Sequence, residues 1–409
     1  MSPRTLLTAL LAVIAGLAGV ASAGDVVSVE PIGGDRYPAR WVSGNLRQLV
    51  LETSANARQS VSIETIAGIQ LREGKLRAID SMAGSSWIVL ASGERLRAQP
   101  SVIDEVSLTV SFSQLKSVAP IQIPLEGCRG FTLALPSDPF RQGLDWQRIA
   151  QRRTESDLIQ LKNGDRVDGE FLGLVDAKFR TKTSLGEVLS EFGAVRSLAF
   201  NPALSSVPKR PTRMACAILV DGSVLYLDEL TLNGEFCVVK SISGFSLELP
   251  TSALAEVRFN HERTVSLSDR VPDQLHVDGL LGTKRKPLAN VNVLGGPLMV
   301  GSVPFANGWG VPSGSRLTWD LMGEYQAFTA VVGVDDSASN GGIVEFEIIV
   351  DDRSVWRSSK LRGRDGPLRT PVISMVGAKR LSLVVLASDL GAVLDFADWC
   401  HPTLFRGPS

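Results

Sequence analysis

The chain has 409 residues, with 42 basic and 43 acidic side chains. That length suits two to four domains of roughly 100–200 residues each. The balanced charge argues against a nucleic-acid or anionic-membrane surface, either of which needs a basic patch. An apolar content of 44% excludes global disorder.

The N-terminus reads as a targeting signal over residues 1–23. Arg4 supplies positive charge, Leu6 to Val20 form an apolar run, and Ala21-Ser22-Ala23 offers a small-residue cleavage site before Gly24. The run is too short for a stable membrane span. The expected mature protein is exported, to the periplasm or the extracellular face of the envelope. Export would place Cys128, Cys216, Cys237 and Cys400 in an oxidising compartment. Four cysteines allow three connectivities. Cys216 with Cys237 is the most local pair and the candidate disulfide, with buried free thiols as the alternative. No Cys-x-x-Cys occurs, so a structural zinc site has no support.

From Gly24 to about Arg263 the sequence repeats. The clearest unit opens with the alternating Leu158-Ile159-Gln160-Leu161-Lys162 and turns at Asn163-Gly164-Asp165. A second turns at Asp221-Gly222-Ser223, and fainter copies turn at Ser92-Gly93-Glu94 and Gly33-Gly34-Asp35. From turn glycine to closing apolar residue, the distances are 35 (Gly34 to Ile69), 38 (Gly93 to Phe131), 36 (Gly164 to Phe200) and 37 residues (Gly222 to Phe259). That regularity points to duplication. Units this small close most easily as twisted barrels, because an open sheet leaves edges unpaired. The expected units are 24–80, 81–136, 156–204 and 214–262, strung in a row; a stacked solenoid is the competing architecture. Residues 137–155 form a linker with Trp146, Ile149 and Ala150 at helical spacing, and 205–213 form a basic, proline-bearing linker. Barrels of this kind bind peptides or proteins at loops and edges, or serve as spacers.

Residues 263–406 carry longer strand patterns, among them Arg316 to Leu321, Ala327 to Gly333, Val344 to Val350 and Arg380 to Leu386. Turn residues separate them, as in a two-sheet sandwich. The expected fold class is therefore all-β: tandem small SH3- or Sm-like β-barrel repeats followed by a jelly-roll, galactose-binding-like β-sandwich. Within this stretch, Gly310-Val311-Pro312-Ser313-Gly314-Ser315-Arg316-Leu317-Thr318-Trp319-Asp320-Leu321, Val332-Gly333-Val334-Asp335-Asp336 and Asp395-Phe396-Ala397-Asp398-Trp399 stand out. These motifs resemble the NPCBM/NEW2 family, the carbohydrate-binding module found beside glycoside hydrolases of family 98. The resemblance implies a sandwich fold and non-catalytic glycan binding.

A sugar site needs an aromatic face and fixed polar groups. The candidate carbohydrate-binding residues are Asp395, Asp398, Trp399, Trp309 and Ser313. Asp335 and Asp336, in an oxygen-rich loop with Ser337, Ser339 and Asn340, are candidate ligands for a structural Ca²⁺; a solvated Asx turn is the alternative. Members of the resembled family usually have histidine where this chain has Pro312 and Phe396, which implies an altered site. His261, His276 and His401 form no His-Glu-x-x-His, and no Gly-x-Ser-x-Gly or Walker loop appears. The expected protein is not an enzyme. It binds extracellular or envelope glycans, or it is a protein–protein scaffold whose module has lost sugar binding.

Overall fold

The computed structural model describes residues 26–53, 57–71, 82–278, 285–339, 341–387 and 394–407. The expected targeting signal lies outside them. Among the described residues no helix is long and apolar enough to cross a membrane.

One strand plan occurs four times. The first unit runs Val26–Pro31, Tyr37–Asn45, Gln48–Glu52 and Arg58–Ser62, then a 3-10 turn at Ile63–Thr65 and a closing strand Ile66–Gln70. In the second, third and fourth units the 3-10 turn falls at Leu125–Gly127, Phe192–Ala194 and Thr251–Ala253, followed by Cys128–Thr132, Val195–Ala199 and Leu254–Asn260. Each closing strand pairs back on its own first strand: Val29 with Ile69, Ile88 with Phe131, Ile159 with Leu198, and Ala217 with Val257. Each unit is thus a small closed barrel. The turn chemistry is local: Gly164 adopts φ 104°, and Asn163 accepts a hydrogen bond from the Asp165 amide (3.0 Å).

The barrels are not strung in a row. The free edge of each closing strand pairs antiparallel with the closing strand of another unit, first with fourth and second with third. The registers are Ile69 opposite Val257 and Phe131 opposite Leu198. These four residues occupy the same position, six after the first residue of the 3-10 turn, so each pairing is centred on a local two-fold. The open edges of the closing strands are thereby satisfied within the chain. A single apolar cluster, including Trp41, Phe131, Phe179, Leu225 and Phe259, runs through all four units.

Between the second and third barrels lies the helix Pro139–Ala150. Asp138 caps it by accepting from the Phe140 amide, and Pro139 sits at the first turn. Its buried face is Gly143, Trp146 and Ile149; Ala150, expected on that face, is exposed. Trp146 meets Trp87 edge to face at 5.8 Å. Gly143 is required here, because a Cβ would stand 2.4 Å from the Leu294 carbonyl oxygen. The helix therefore packs directly on the C-terminal domain.

That domain is a two-sheet sandwich. One sheet holds Leu288–Ala289, Gly308–Pro312, Phe396–Arg406, Tyr325–Val334 and Leu368–Arg369 in spatial order, and the facing sheet holds Gln274–Val277, Ser315–Asp320, Arg380–Ala387, Ile343–Val350 and Arg353–Arg357. Trp309, Trp319, Phe328, Phe346 and Trp399 fill the space between. Ala327 and Phe405 of the first sheet also pack on Ala67 of the first barrel.

The candidate disulfide does not form. All four cysteines are buried free thiols. Cys216 packs with Met214, Tyr226 and Ala306 outside the fourth barrel, whereas Cys237 faces the barrel core with Leu249. Proximity in sequence is defeated by strand alternation, which sends the two side chains to different faces. Burial pushes both thiols up to about 12.

A buried ion cluster fastens the sandwich to the barrels. The Glu30 carboxylate takes Arg36 (2.9 Å), Arg258 of the fourth barrel (3.2 Å) and Arg369 of the sandwich (2.6 Å). Burial alone would raise the Glu30 pKa, but the three guanidinium groups outweigh it and hold the carboxyl far below the ordinary range. A depressed folded pKa contributes stability above the unfolded value of 4.5, and that contribution fades as pH falls further. Glu30→Gln is expected to cost about 3–5 kcal/mol in urea unfolding at pH 7, because it strands buried guanidinium groups. The gap from wild type should narrow below about pH 4; equal gaps at pH 7 and pH 3 would contradict this assignment.

Candidate functional site

The loops at one end of the sandwich are built on two adjacent aspartates. Asp335 ends the strand Tyr325–Val334 and caps a 3-10 turn by accepting from the Ser337 amide. Its Oδ1 also accepts from Asn292 Nδ2 (3.0 Å) and its Oδ2 from the Met299 amide (3.1 Å). Asp336 Oδ1 and Oδ2 accept from the Gly301 and Ser302 amides, both at 2.7 Å. Gly301 and Ser302 have φ of 59° and 65°, the left-handed hairpin turn between Leu298–Val300 and Val303–Phe305. The two carboxylates thus pin the 292–302 segment to the sandwich.

This geometry does not fit calcium. The ion takes six to eight oxygens, whereas every carboxylate oxygen of Asp335 and Asp336 is met by N–H donors. Among the described residues no group of three or more His, Cys, Asp or Glu side chains is arranged to hold a metal.

The residues expected to bind sugar are buried. Asp398 and Trp399 are 0% exposed, Asp395 and Ser313 3%, and Trp309 7%. Strand alternation explains the placement of the central pair. Ala397 and Trp399 point into the sandwich, and Asp398 and Cys400 point to the outer face of the same sheet. That outer face is covered. The cross-strand neighbours of Asp398 are Gly310 and Gly333, over which Asn292 and Val300 pack so closely that a Cβ would stand 2.4 and 2.2 Å from them. Asp395 lies outside the strand and accepts from the Ile343 amide (2.9 Å). Ser313 donates its amide to the Asp395 carbonyl (3.0 Å). Trp309 donates its indole N–H to the Leu267 carbonyl (3.0 Å). These five residues are buried within the sandwich and its end loops.

Asp398 has a special electrostatic position. Its oxygens make no well-formed hydrogen bond to an N–H or hydroxyl of the described residues, the Met299 amide acts on it only as a minor influence, and its carboxyl lies against that of Asp335. Burial, then Asp335, drives its pKa well above the carboxylate range. Burial also raises Asp335, and it raises Asp336 to about 6. Burial and the neighbouring carboxylate thus both favour the neutral form of Asp398.

The same loops line an open cleft of about 560 Å³, whose other wall is the helix Pro139–Ala150. From the sandwich it presents Ser302, Asp336, Ser337, Ser339 and Arg364; from the helix it presents Gln142 and the edge of Trp146. The Ser337 hydroxyl is buried beside the Asp335 carboxylate. Sequence reasoning placed Asp336, Ser337 and Ser339 in one polar loop. It missed Arg364, brought to that loop by the folding of the sandwich, and Gln142, brought there by the packing of helix on sandwich; neither carries a local signal.

The sequence profile of the NPCBM/NEW2 domain matches residues 263–405, and the C-terminal third of the chain is such a domain. The Renibacterium salmoninarum protein named "Putative endo-alpha-N-acetylgalactosaminidase" is 29% identical over 107 residues, 26% of this chain and 7% of that protein. The chain thus spans less than a tenth of that curated relative. Among solved structures, a CBM51 module from Clostridium perfringens in complex with methyl-galactose is 20% identical, with a TM-score of 0.32, over 34% of this chain and 99% of that one. The tandem CBM51 modules of a family 98 glycoside hydrolase from Streptococcus pneumoniae are 11% identical, with a TM-score of 0.31, over 64% and 91%.

The acid pair sets a pH dependence. A raised folded carboxyl pKa gives stability present below the unfolded value near 3.9 and lost as pH rises through the folded value. Wild-type stability should therefore fall as pH rises through about 6, where Asp336 ionises, and the raised carboxyl of Asp398 should add to the fall. Asp398→Asn should flatten that slope, read as Tm against pH. An unchanged slope would contradict a proton on Asp398. Trp399→Ala should lower stability by about 3–5 kcal/mol, as removal of a core aromatic does.

Proposed function

We propose that this chain is an exported, non-catalytic protein that binds carbohydrate through its C-terminal domain, with the glycan seated in the cleft between the domain's loops and the helix. The observation that carries the reading is the NPCBM/NEW2 match over residues 263–405. The cleft supports the placement. Its volume falls within the ~300–1,000 Å³ of small-molecule sites. Arg364 is a fixed cation with donors only, Asp336 accepts, and Ser339 and Gln142 do both. A sugar offers hydroxyls that match this mixture. The buried aspartates act one step removed, by holding the loops that carry these groups.

The full chain should give reproducible hits on a glycan array that includes α-N-acetylgalactosaminides, the class named in the Renibacterium relative. Arg364→Ala combined with Gln142→Ala should weaken the hit about tenfold, the value of one or two lost charge-assisted bonds. A metal chelator should leave it unchanged, because N–H donors surround Asp335 and Asp336. A blank array from folded protein, or a hit indifferent to both substitutions, would count against this site.

One observation favours a protein partner for the repeats. The third barrel exposes Leu185 (98%), Leu189 (56%) and Val175 (47%) on neighbouring strands and turns. Replacing Leu185 and Leu189 with serine should leave the melting temperature within about a degree and abolish co-purification of such a partner, since surface changes seldom exceed ±0.5 kcal/mol.

A further inference from the structure

A second cavity, of about 210 Å³, lies where the second barrel, the fourth barrel, the helix and the sandwich meet. It is separate from the expected glycan residues, and it gathers positive charge. Arg95, Arg129 and Arg210 all line it. Their balance differs. Arg210 is compensated by Asp269 at 3.2 Å, lies 4.6 Å over the Tyr226 ring, and donates to the Ser92 carbonyl.

Arg95 is 7% exposed, yet among the described residues no carboxylate lies within ion-pair reach. It gives one hydrogen bond, from Nη2 to the Phe305 carbonyl (3.1 Å). Burial pulls its pKa down, with no acid to offset it. Arg258, equally buried, shows the contrast, because it lies between Glu30 and Glu256. Arg129 also has no acidic partner among the described residues. Arg129 is half-buried, whereas the indole N–H of Trp146, another lining residue, is buried with no acceptor.

A guanidinium taken from water without a counter-charge is costly, and a polar N–H left unpaired costs on the order of 1–3 kcal/mol. Such an arrangement is stable once an anion supplies the missing acceptors. A planar oxyanion suits it, because each guanidinium presents donors in a fork. The remaining walls are apolar, from Leu90, Val291 and Pro297, with the Tyr226 ring among them. The cavity is below the ~300 Å³ at which drug-sized sites begin, so it holds one ring or less.

We propose that this junction is a binding site for a small carboxylate-bearing ligand of the size of a single sugar acid, held by Arg95 and Arg129. The ligand would join barrels, helix and sandwich at their common contact, independently of the cleft.

The test is titration calorimetry of the full chain with sodium D-glucuronate, sodium phosphate and D-glucose at matched ionic strength. Saturable one-to-one binding of glucuronate without glucose binding is expected. Arg129→Ala should weaken it at least tenfold, and Arg95→Lys, which keeps charge but loses the fork, should weaken it as well. Phosphate binding as tightly as glucuronate, with the same sensitivity, would support the site as one for free oxyanions; glucuronate alone would support a sugar acid. If Arg95→Lys does not fold, the Arg129→Ala result decides. No anion binding by folded wild type, or binding untouched by Arg129→Ala, overturns the proposal.

Discussion

Three guanidinium groups from three parts of the chain converge on the carboxylate of Glu30. Arg36 belongs to the same barrel, Arg258 to the fourth and Arg369 to the sandwich. A buried charge of this kind tolerates little displacement, because its desolvation is offset only while all partners stay in place. The consequence is geometric. The sandwich sits on the barrels in one orientation, which brings its 292–302 segment against the helix Pro139–Ala150. Both the cleft and the arginine-lined cavity exist only because of that contact.

The barrels supply the platform by closing their own edges. Four barrels in isolation would each expose one edge of the closing strand. Pairing first with fourth and second with third removes those edges, and the register places equivalent residues opposite one another. Symmetric pairing of like strands makes duplication economical. The register that suits one copy against itself suits two copies of the same unit within one chain.

The fold class was legible because turns and alternation are local. Asn163-Gly164-Asp165 and Asp221-Gly222-Ser223 punctuate strands wherever they occur, and the spacing from turn glycine to closing residue marked four copies. The pairing of units was not legible, since it joins Ile69 to Val257 across nearly half of the chain. The site residues show a subtler failure. Alternation separates Trp399 from Asp398, but it cannot say what covers the outer face. The covering segment, 290–305, has short strands and five glycines and prolines (Gly295, Gly296, Pro297, Gly301 and Pro304), with little periodicity to read. Asp398 was therefore taken for a candidate ligand contact, whereas it lies buried against Asp335. Cys216 and Cys237 erred for a related reason, since closeness in sequence says nothing about which face of a strand a thiol takes.

The central claim is that glycan recognition belongs to the sandwich and the helix together. Hydrogen exchange on the full chain, with and without a glycan identified by array, tests it most directly. The account predicts simultaneous protection of amides at 299–302, at 335–339 and in the helix 139–150. Protection confined to sandwich loops away from the cleft, with the helix unchanged, would contradict it.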